Sequence, residues 1–462
     1  MSDELRASDF DAVREQLGRE PTIPFSVVAR CTGGHPLVIR DRPRDADGHP
    51  FPTVYWLTCP DAVKAVSTVE SDGWIARLNE DAALAPGIEA AHRAYAAERA
   101  ELPGGADVAG GVGGTRAGVK CLHAHYAYHL AGGDDPIGRW TAERVEPIHP
   151  EEPPGRVAAI DQGTNSTRLL VLEPRAHAES LDLARDMVIT RLGRGVDQTG
   201  RLDPGSVGRT VDVVGRFLRR ARALHAERIR VAATSAVRDA SNAEEFLDPV
   251  RTMLGAEPEV LDGEREAGLS FLGGTRGLAP ADGPFLVMDI GGGSTEFVFG
   301  REPGVAERAI STQLGSVRLT ERFRPSDPPT DEDLERFASA ANEAFERVAE
   351  AVPADDVRLL VAVAGTATTL QACALGLERY DPDVVHRSTL TLDDAERTRR
   401  ELAAMTNEER AAIPVMPKGR GDVIVAGATI LVAALRRFGF DRAFVSETDI
   451  LDGLAFELVD VR

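Results

Sequence analysis

Read for its apolar and polar positions, the chain changes character near residue 156. Downstream, short wholly apolar runs alternate with longer stretches of helical spacing, the pattern of a sheet covered on both faces. Residues 157–160, 169–172, 187–191, 228–233, 285–288, 297–299, 359–364 and 443–445 read as strands. Val207, Val211, Val214, Phe217, Leu218 and Leu224 keep helical spacing, as do Leu334, Phe337, Ala341, Phe345 and Val348 behind a Thr330/Asp333 cap. Residues 423–435 and 450–458 read as closing helices, Asp262 opens another, and Ser241 with Glu244 predicts a capping box. This alternation predicts two α/β lobes. Upstream the pattern is different. A helix start at 8–11, strands at 25–30 and 54–57, helices at 60–78, 88–102 and 120–130, and a glycine-rich loop at 103–118 predict a small α+β unit.

Two of the apolar runs end in turns of one design. The first leads into Asp161-Gln-Gly-Thr-Asn-Ser166 and the second into Asp289-Ile-Gly-Gly-Gly-Ser-Thr-Glu296, each followed at once by another apolar run. A hairpin through Gly291, Gly292 and Gly293 leaves backbone N–H groups uncovered, a nest suited to phosphate, and Asp289 and Glu296 at its ends suit a divalent cation. The repetition predicts a duplicated lobe whose hairpins face each other across a cleft. A third anion contact is expected where Gly365-Thr-Ala-Thr-Thr369 opens a helix.

At 462 residues the chain predicts several domains. The boundaries expected are an N-terminal domain at 1–150, a Pro/Glu-rich linker at 151–155, lobe I at 156–283 and lobe II at 284–462, with the last helix able to pack back on lobe I. A formal charge of −21 argues against nucleic-acid and anionic-membrane partners, though local nests and a bound cation still admit a polyanion. Lys64, Lys120 and Lys418 are the only lysines among 53 basic residues, so a given arginine carries little information. The N-terminus lacks a signal-peptide core and no apolar run spans a bilayer, so a cytoplasmic location is expected. Cys31, Cys59, Cys121 and His123 are a candidate Zn²⁺ set, set against buried thiols and a helix with surface histidines, because no Cys-x-x-Cys pair is present.

Phosphoryl transfer to water needs a phosphate cradle, a neutralising cation, a base and positive charge for the transition state. The hairpins supply the first two, Arg238 in Thr-Ser-Ala-Val-Arg-Asp can supply the last, and Glu264 or Glu266 is the candidate base. No P-loop, Gly-x-Ser-x-Gly elbow or His-Glu-x-x-His helix is present.

Six ordered segments then resemble the exopolyphosphatase / guanosine pentaphosphate phosphatase (Ppx/GppA) family of the actin-like ATPase superfamily. They are Asp161-Gln-Gly-Thr-Asn-Ser-Thr-Arg-Leu-Leu170, Ala233-Thr-Ser-Ala-Val-Arg-Asp-Ala-Ser-Asn242, Gly263-Glu-Arg-Glu-Ala267, Asp289-Ile-Gly-Gly-Gly-Ser-Thr-Glu296, Ala364-Gly-Thr-Ala-Thr-Thr369 and Val445-Ser-Glu-Thr-Asp-Ile-Leu-Asp-Gly453. The resemblance implies a duplicated actin-like (ribonuclease H-like) fold and release of the terminal phosphate of polyphosphate with Mg²⁺. It places Glu266 as catalytic glutamate, Arg238 as active-site arginine, and Asp161, Asp289 and Glu296 at the metal site. Gly163, Thr164, Asn165, Ser166, Gly291, Gly292, Gly293, Ser294 and Thr295 become the phosphate cradle. It also suggests a homodimer. A pppGpp 5′-phosphohydrolase is the alternative enzyme, and a low-turnover alarmone or polyphosphate sensor the alternative of another class. The N-terminal unit resembles a small actinobacterial domain family of unknown function in Gly18-Arg-Glu-Pro21, Pro50-Phe-Pro-Thr-Val-Tyr-Trp-Leu-Thr-Cys-Pro60 and Val119-Lys-Cys-Leu-His123.

Overall fold

The computed structural model describes residues 7–148, 155–175 and 180–460. Of the expected linker at 151–155, only Gly155 falls within them. Three sheets organise the described residues. The N-terminal sheet is a meander of β1 (Phe25–Arg30), β2 (Pro36–Asp41) and β3 (Tyr55–Leu57), in that order. The first lobe carries β4 (Val157–Gln162), β5 (Ser166–Glu173), β6 (Leu181–Ile189), β7 (Arg228–Ala233) and β8 (Glu259–Val260), ordered β6-β5-β4-β7-β8. The second carries β9 (Phe285–Ile290), β10 (Thr295–Gly300), β11 (Arg308–Thr312), β12 (Leu359–Val363), β13 (Ser388–Thr391) and β14 (Arg442–Val445), ordered β11-β10-β9-β12-β14-β13. In each lobe an antiparallel hairpin pair sits beside a parallel strand, so the sequence duplication is also a topological one. This is the two-lobed actin-like fold.

Strand periodicity explains how the sheets place the acidic residues. On β9, Leu286, Met288 and Ile290 join one core while Phe285 and Val287 join another. On β4, Ala158 and Ile160 face one core, and Val157 and Ala159 the other. With a side-chain period of two, Asp161 continues the Val157/Ala159 face and Asp289 the Phe285/Val287 face. Those faces are covered by two crossing helices. Helix Gly263–Thr275 packs on the second sheet, and the final helix Ile450–Asp460 packs on β4 and β5 of the first. A cut at 283 thus separates helix 263–275 from the sheet it covers. The two helices touch backbone to backbone: a Cβ on Gly273 would fall 1.8 Å from the Asp449 carbonyl oxygen, and one on Gly453 2.1 Å from that of Leu269. No side chain fits at either position.

The N-terminal unit shares its core with lobe I. Tyr128, Leu130 and Ala131 are continuous with Val214, Phe217 and Ala221 of the helix Pro204–Ala223, which builds one apolar cluster from both regions. Polar contacts flank it: Arg216 pairs with Glu98 at 3.1 Å, and Arg219 donates to the Gly132 carbonyl at 2.9 Å.

Several local expectations change. The helix expected at 60–78 is two, Pro60–Ser71 and Trp74–Glu80, because Gly73 takes φ +77° between them. The capping box does not form. Ser241 Oγ donates to the Gly200 carbonyl instead, Asn242 Oδ1 takes the Leu202 N–H, and the helix starts at Glu244 with no side-chain cap. The histidine-bearing helix is not merely a surface one, since His125 is fully buried with Nδ1 2.6 Å from Asp135. The candidate zinc set does not converge. The Cys31 and Cys59 thiols meet each other, Cys121 Sγ lies 3.8 Å from His123 Nδ1, and no cluster of metal-ligating atoms within 4.8 Å joins the two pairs among the described residues. No helix among the described residues is long and apolar enough to cross a membrane.

Candidate active site

The two hairpin tips meet across a cavity of about 1060 Å³. In each, the first glycine N–H closes the turn: Gly163 donates to the Ser166 carbonyl at 2.9 Å and Gly291 to that of Ser294 at 3.0 Å. Thr164 ties the first hairpin to the segment after β7, with Oγ1 2.9 Å from Ser235 Oγ. A Cβ on Gly293 would sit 2.6 Å from Ser235 Oγ and 2.9 Å from Thr164 Oγ1, so glycine there is dictated by the opposing hairpin together with Ser235. Gly163, Thr164, Asn165, Ser166, Gly291, Gly292, Gly293 and Ser294 all line the cavity, as do Asp161, Asp289 and Glu266. A third wall is the start of helix Ala364–Ala374, where Ala364 holds φ +65° and Gly365, Thr366, Thr368 and Thr369 face the space.

Thr295 and Glu296 lie behind this lining. Thr295 is fully buried, its hydroxyl donating to the Leu314 carbonyl at 2.5 Å, so its side chain is committed to the loop after β11 rather than to the cradle. Glu296 stands directly opposite Asp289 across the β9–β10 ladder and takes a 2.7 Å hydrogen bond from Ser311 Oγ. Arg238 is likewise not among the lining residues. Its Nη1 donates to Glu266 Oε2 at 3.0 Å and to the Leu261 carbonyl at 2.7 Å, which makes it the partner of the glutamate.

Glu266 is positioned by its helix. Asp262 caps Gly263–Thr275, accepting from the Arg265 N–H at 2.8 Å, and Glu266 and Ser270, one turn apart, share a face. Ser270 Oγ donates to Asp289 Oδ2 at 2.6 Å. One helix face therefore presents the candidate base and anchors the hairpin carboxylate.

The electrostatics are those of crowded, dehydrated carboxylates. Burial raises Glu266 to about 7, against the hydrogen bond and charge of Arg238 and with the help of Asp289 and Asp161. Burial and then Asp449 raise Asp289 to about 6. Burial, Glu266 and Asp289 push Glu296 far above the carboxylate range. Asp161 is also raised by burial, although Arg168 opposes it. Such a group suits a hard divalent cation, which would replace mutual repulsion by attraction. Asp161 Oδ1, buried without a hydrogen-bond partner among the described residues, is one oxygen available to it.

Other residues of the site carried no role in the sequence reading. Arg168 holds Asp161 Oδ2 at 2.6 Å and also pairs with Asp449, immediately before the final helix. Arg420 Nη1 donates to the Gly365 carbonyl at 2.7 Å and to Thr369 Oγ1 at 2.8 Å, fixing the third wall. Arg42, Arg185, Arg379 and Lys418 also line the cavity, and Phe10, Pro21–Phe25 and Pro103 bring the N-terminal unit to its edge. Arg168 and Asp449 lie inside recognised motifs. The other basic residues had no signal in an arginine-rich chain.

The fold and this acidic, nest-lined cleft define a phosphate-handling member of the actin-like class. The chain belongs to the Ppx/GppA phosphatase family, whose model matches residues 170–461, and is a phosphate-anhydride hydrolase. Residues 27–143 match DUF501, a family described as a protein of unknown function. The chain is similar to exopolyphosphatase 2 of Mycobacterium tuberculosis, 42% identical over 315 residues that cover 66% of this chain and 98% of that protein. Exopolyphosphatase 1 of Mycobacterium leprae is 28% identical over 311 residues, covering 66% and 90%. Among solved structures, the Ppx/GppA family member of Aquifex aeolicus is 34% identical with TM-score 0.57, covering 66% of this chain and 97% of that one. An exopolyphosphatase of Cytophaga hutchinsonii is 28% identical with TM-score 0.62, covering 66% and 99%.

Proposed function

We propose that the protein is a divalent-cation-dependent exopolyphosphatase that removes the terminal phosphate of inorganic polyphosphate with a Glu266-activated water. The observation that carries this is the position of Glu266: nearly buried, at the cavity wall, hydrogen-bonded to Arg238 and facing both hairpin carboxylates. A base whose pKa lies near neutrality matches proton transfer at ordinary pH. The N–H groups at 164–166 and 292–294 hold phosphate oxygens, those of Gly163 and Gly291 being spent on closing the turns. Asp161, Asp289 and Glu296 are the residues that would hold Mg²⁺, which when bound supplies charge neutralisation for the terminal phosphate. Glu266 takes a proton from water, the water oxygen bonds to the terminal phosphorus, and the P–O bond to the next phosphate breaks. Inorganic phosphate and a chain shorter by one unit result. Arg238 orients the carboxylate and keeps its ionised form accessible against the cost of burial.

The test compares wild type with Glu266→Ala on medium-chain polyphosphate with Mg²⁺. A loss of about 10²–10⁴-fold is expected; equal phosphate release overturns the reading. A second reading, pppGpp 5′-phosphohydrolase, is supported by the helix start at 365–369 on the cavity wall. Competing the two substrates in one assay separates them. Tight binding of either without turnover would instead mark a sensor.

A further inference from the structure

We propose that Glu70, Cys121 and His123 of the N-terminal domain form a three-ligand Zn²⁺ site, unrelated to the phosphatase cleft. Glu70 is in the last turn of helix Pro60–Ser71, Cys121 is the N-cap of helix Leu122–Leu130, and His123 lies in the first turn of that helix. Their ligand atoms all lie within 4.8 Å of one another.

The geometry suits a metal better than a catalytic relay. Cys121 Sγ lies 3.8 Å and Glu70 Oε1 3.3 Å from the same ring nitrogen, His123 Nδ1. A nucleophile–base–orienter relay needs the thiol and the carboxylate on opposite nitrogens. Convergence on one nitrogen is what a shared central ion requires. Tetrahedral zinc with ordinary bond lengths separates a sulfur and a nitrogen ligand by roughly 3.6 Å, and an oxygen and a nitrogen ligand by roughly 3.3 Å. Both distances are already close to these values.

The surroundings select the ligating tautomer. His123 Nε2 is 3.1 Å from the Val63 carbonyl and 3.1 Å from Ser67 Oγ, so the proton belongs on Nε2 and the lone pair on Nδ1, aimed at the cluster. Glu70 Oε1 is steadied by the Leu122 N–H at 2.5 Å. This is the outer-shell support that metal ligands carry. A thiolate in a mixed S/N/O set favours zinc over magnesium. The side chains of Glu70 and His123 remain 24% and 22% exposed, so solvent reaches a fourth position. The ion would also clamp the two helices.

The test is a Co²⁺ titration of the full-length protein after chelator treatment and dialysis. Sulfur-to-cobalt charge transfer is diagnostic, because the carboxylates of the phosphatase cleft cannot produce it. One equivalent is expected to saturate the band and Zn²⁺ to displace it. Cys121→Ser should abolish the band, whereas Cys373→Ser, on a lobe II helix, should preserve it. Glu70→Gln keeps the thiol and should weaken cobalt binding by about tenfold or more. Circular dichroism of each variant accompanies the titration. A wild-type protein without the band, a band that survives Cys121→Ser, or a Glu70→Gln variant of unchanged affinity overturns the site.

Discussion

The two hairpins have the same turn and opposite cross-strand partners. In the first, Asp161 stands across the ladder from Arg168; in the second, Asp289 stands across from Glu296. At matching positions one hairpin carries its own cation and the other a second carboxyl group. Arg168 extends the balance by pairing with Asp449, whereas Asp289 has a serine hydroxyl as its hydrogen-bond partner. The first hairpin thus brings to the cleft a carboxylate already paired with a cation, and the second the carboxyl pair that calls more strongly for an external one. Duplication produced two cradles, and divergence at one cross-strand position separated their electrostatic roles.

The comparison can be broken from either side. The largest effect is expected at the base that both hairpins face: Glu266→Gln should lower kcat by about 10³-fold with little change in the midpoint for Mg²⁺. Asp289→Asn should lower activity by about 10²-fold and raise the Mg²⁺ concentration needed, because a cation would lose a charged ligand. If instead Asp161→Asn shifted the metal midpoint more than Asp289→Asn, the assignment of roles would be reversed. Arg168→Met leaves Asp161 and Asp449 as buried unpaired charges and should cost about 3–5 kcal/mol in chemical denaturation. Under the same conditions Glu296→Gln should be neutral or stabilising without metal, since it removes repulsion.

The smallest effect is a pH dependence. Glu266 and Asp289 rise from 4.5 and 3.8 to about 7 and about 6, so the folded protein holds these protons more tightly than the unfolded chain. Their contribution to stability is fully present below the unfolded values and is lost as pH rises through 6 to 7. A bound cation offsets that loss. The increase in Tm caused by Mg²⁺ should therefore be larger at about pH 8 than at about pH 5.5. An equal increase at both would show that the metal does not sit among these groups.

Much of this was legible in the chain. Continuous apolar runs announced β4, β9 and β12 because strands covered on both faces leave no polar gap. Edge strands were harder. β11 (Arg308–Thr312) is exposed or half-buried along most of its length, and β13 is four residues long, so neither carries a distinct hydrophobic pattern. Helix Pro136–Val145 was missed although Asp135 caps it through the N–H groups of Ile137 and Gly138. Within the site, glycines and carboxylates stood out because turns and cations restrict the residue types allowed. Thr295 follows the nest directly and is expected as a ligand, but its hydroxyl is taken by the Leu314 carbonyl.

Local rules along the chain determined the two Asp-ending strands, the nests, the cap at Asp262 and the face shared by Glu266 and Ser270. These depend on periodicities of two and 3.6 and on turn chemistry, which act over a few residues. What tertiary structure alone decided is who stands opposite whom. The crossing of the helices bearing Gly273 and Gly453 brings Asp449 to Arg168, and the shared core carries the N-terminal unit to the edge of the cleft. Arg238 becomes the partner of Glu266 rather than a wall of the cavity by the same route. Such pairings join residues far apart in sequence, and no short-range pattern encodes a contact whose two halves meet only when the cores have closed.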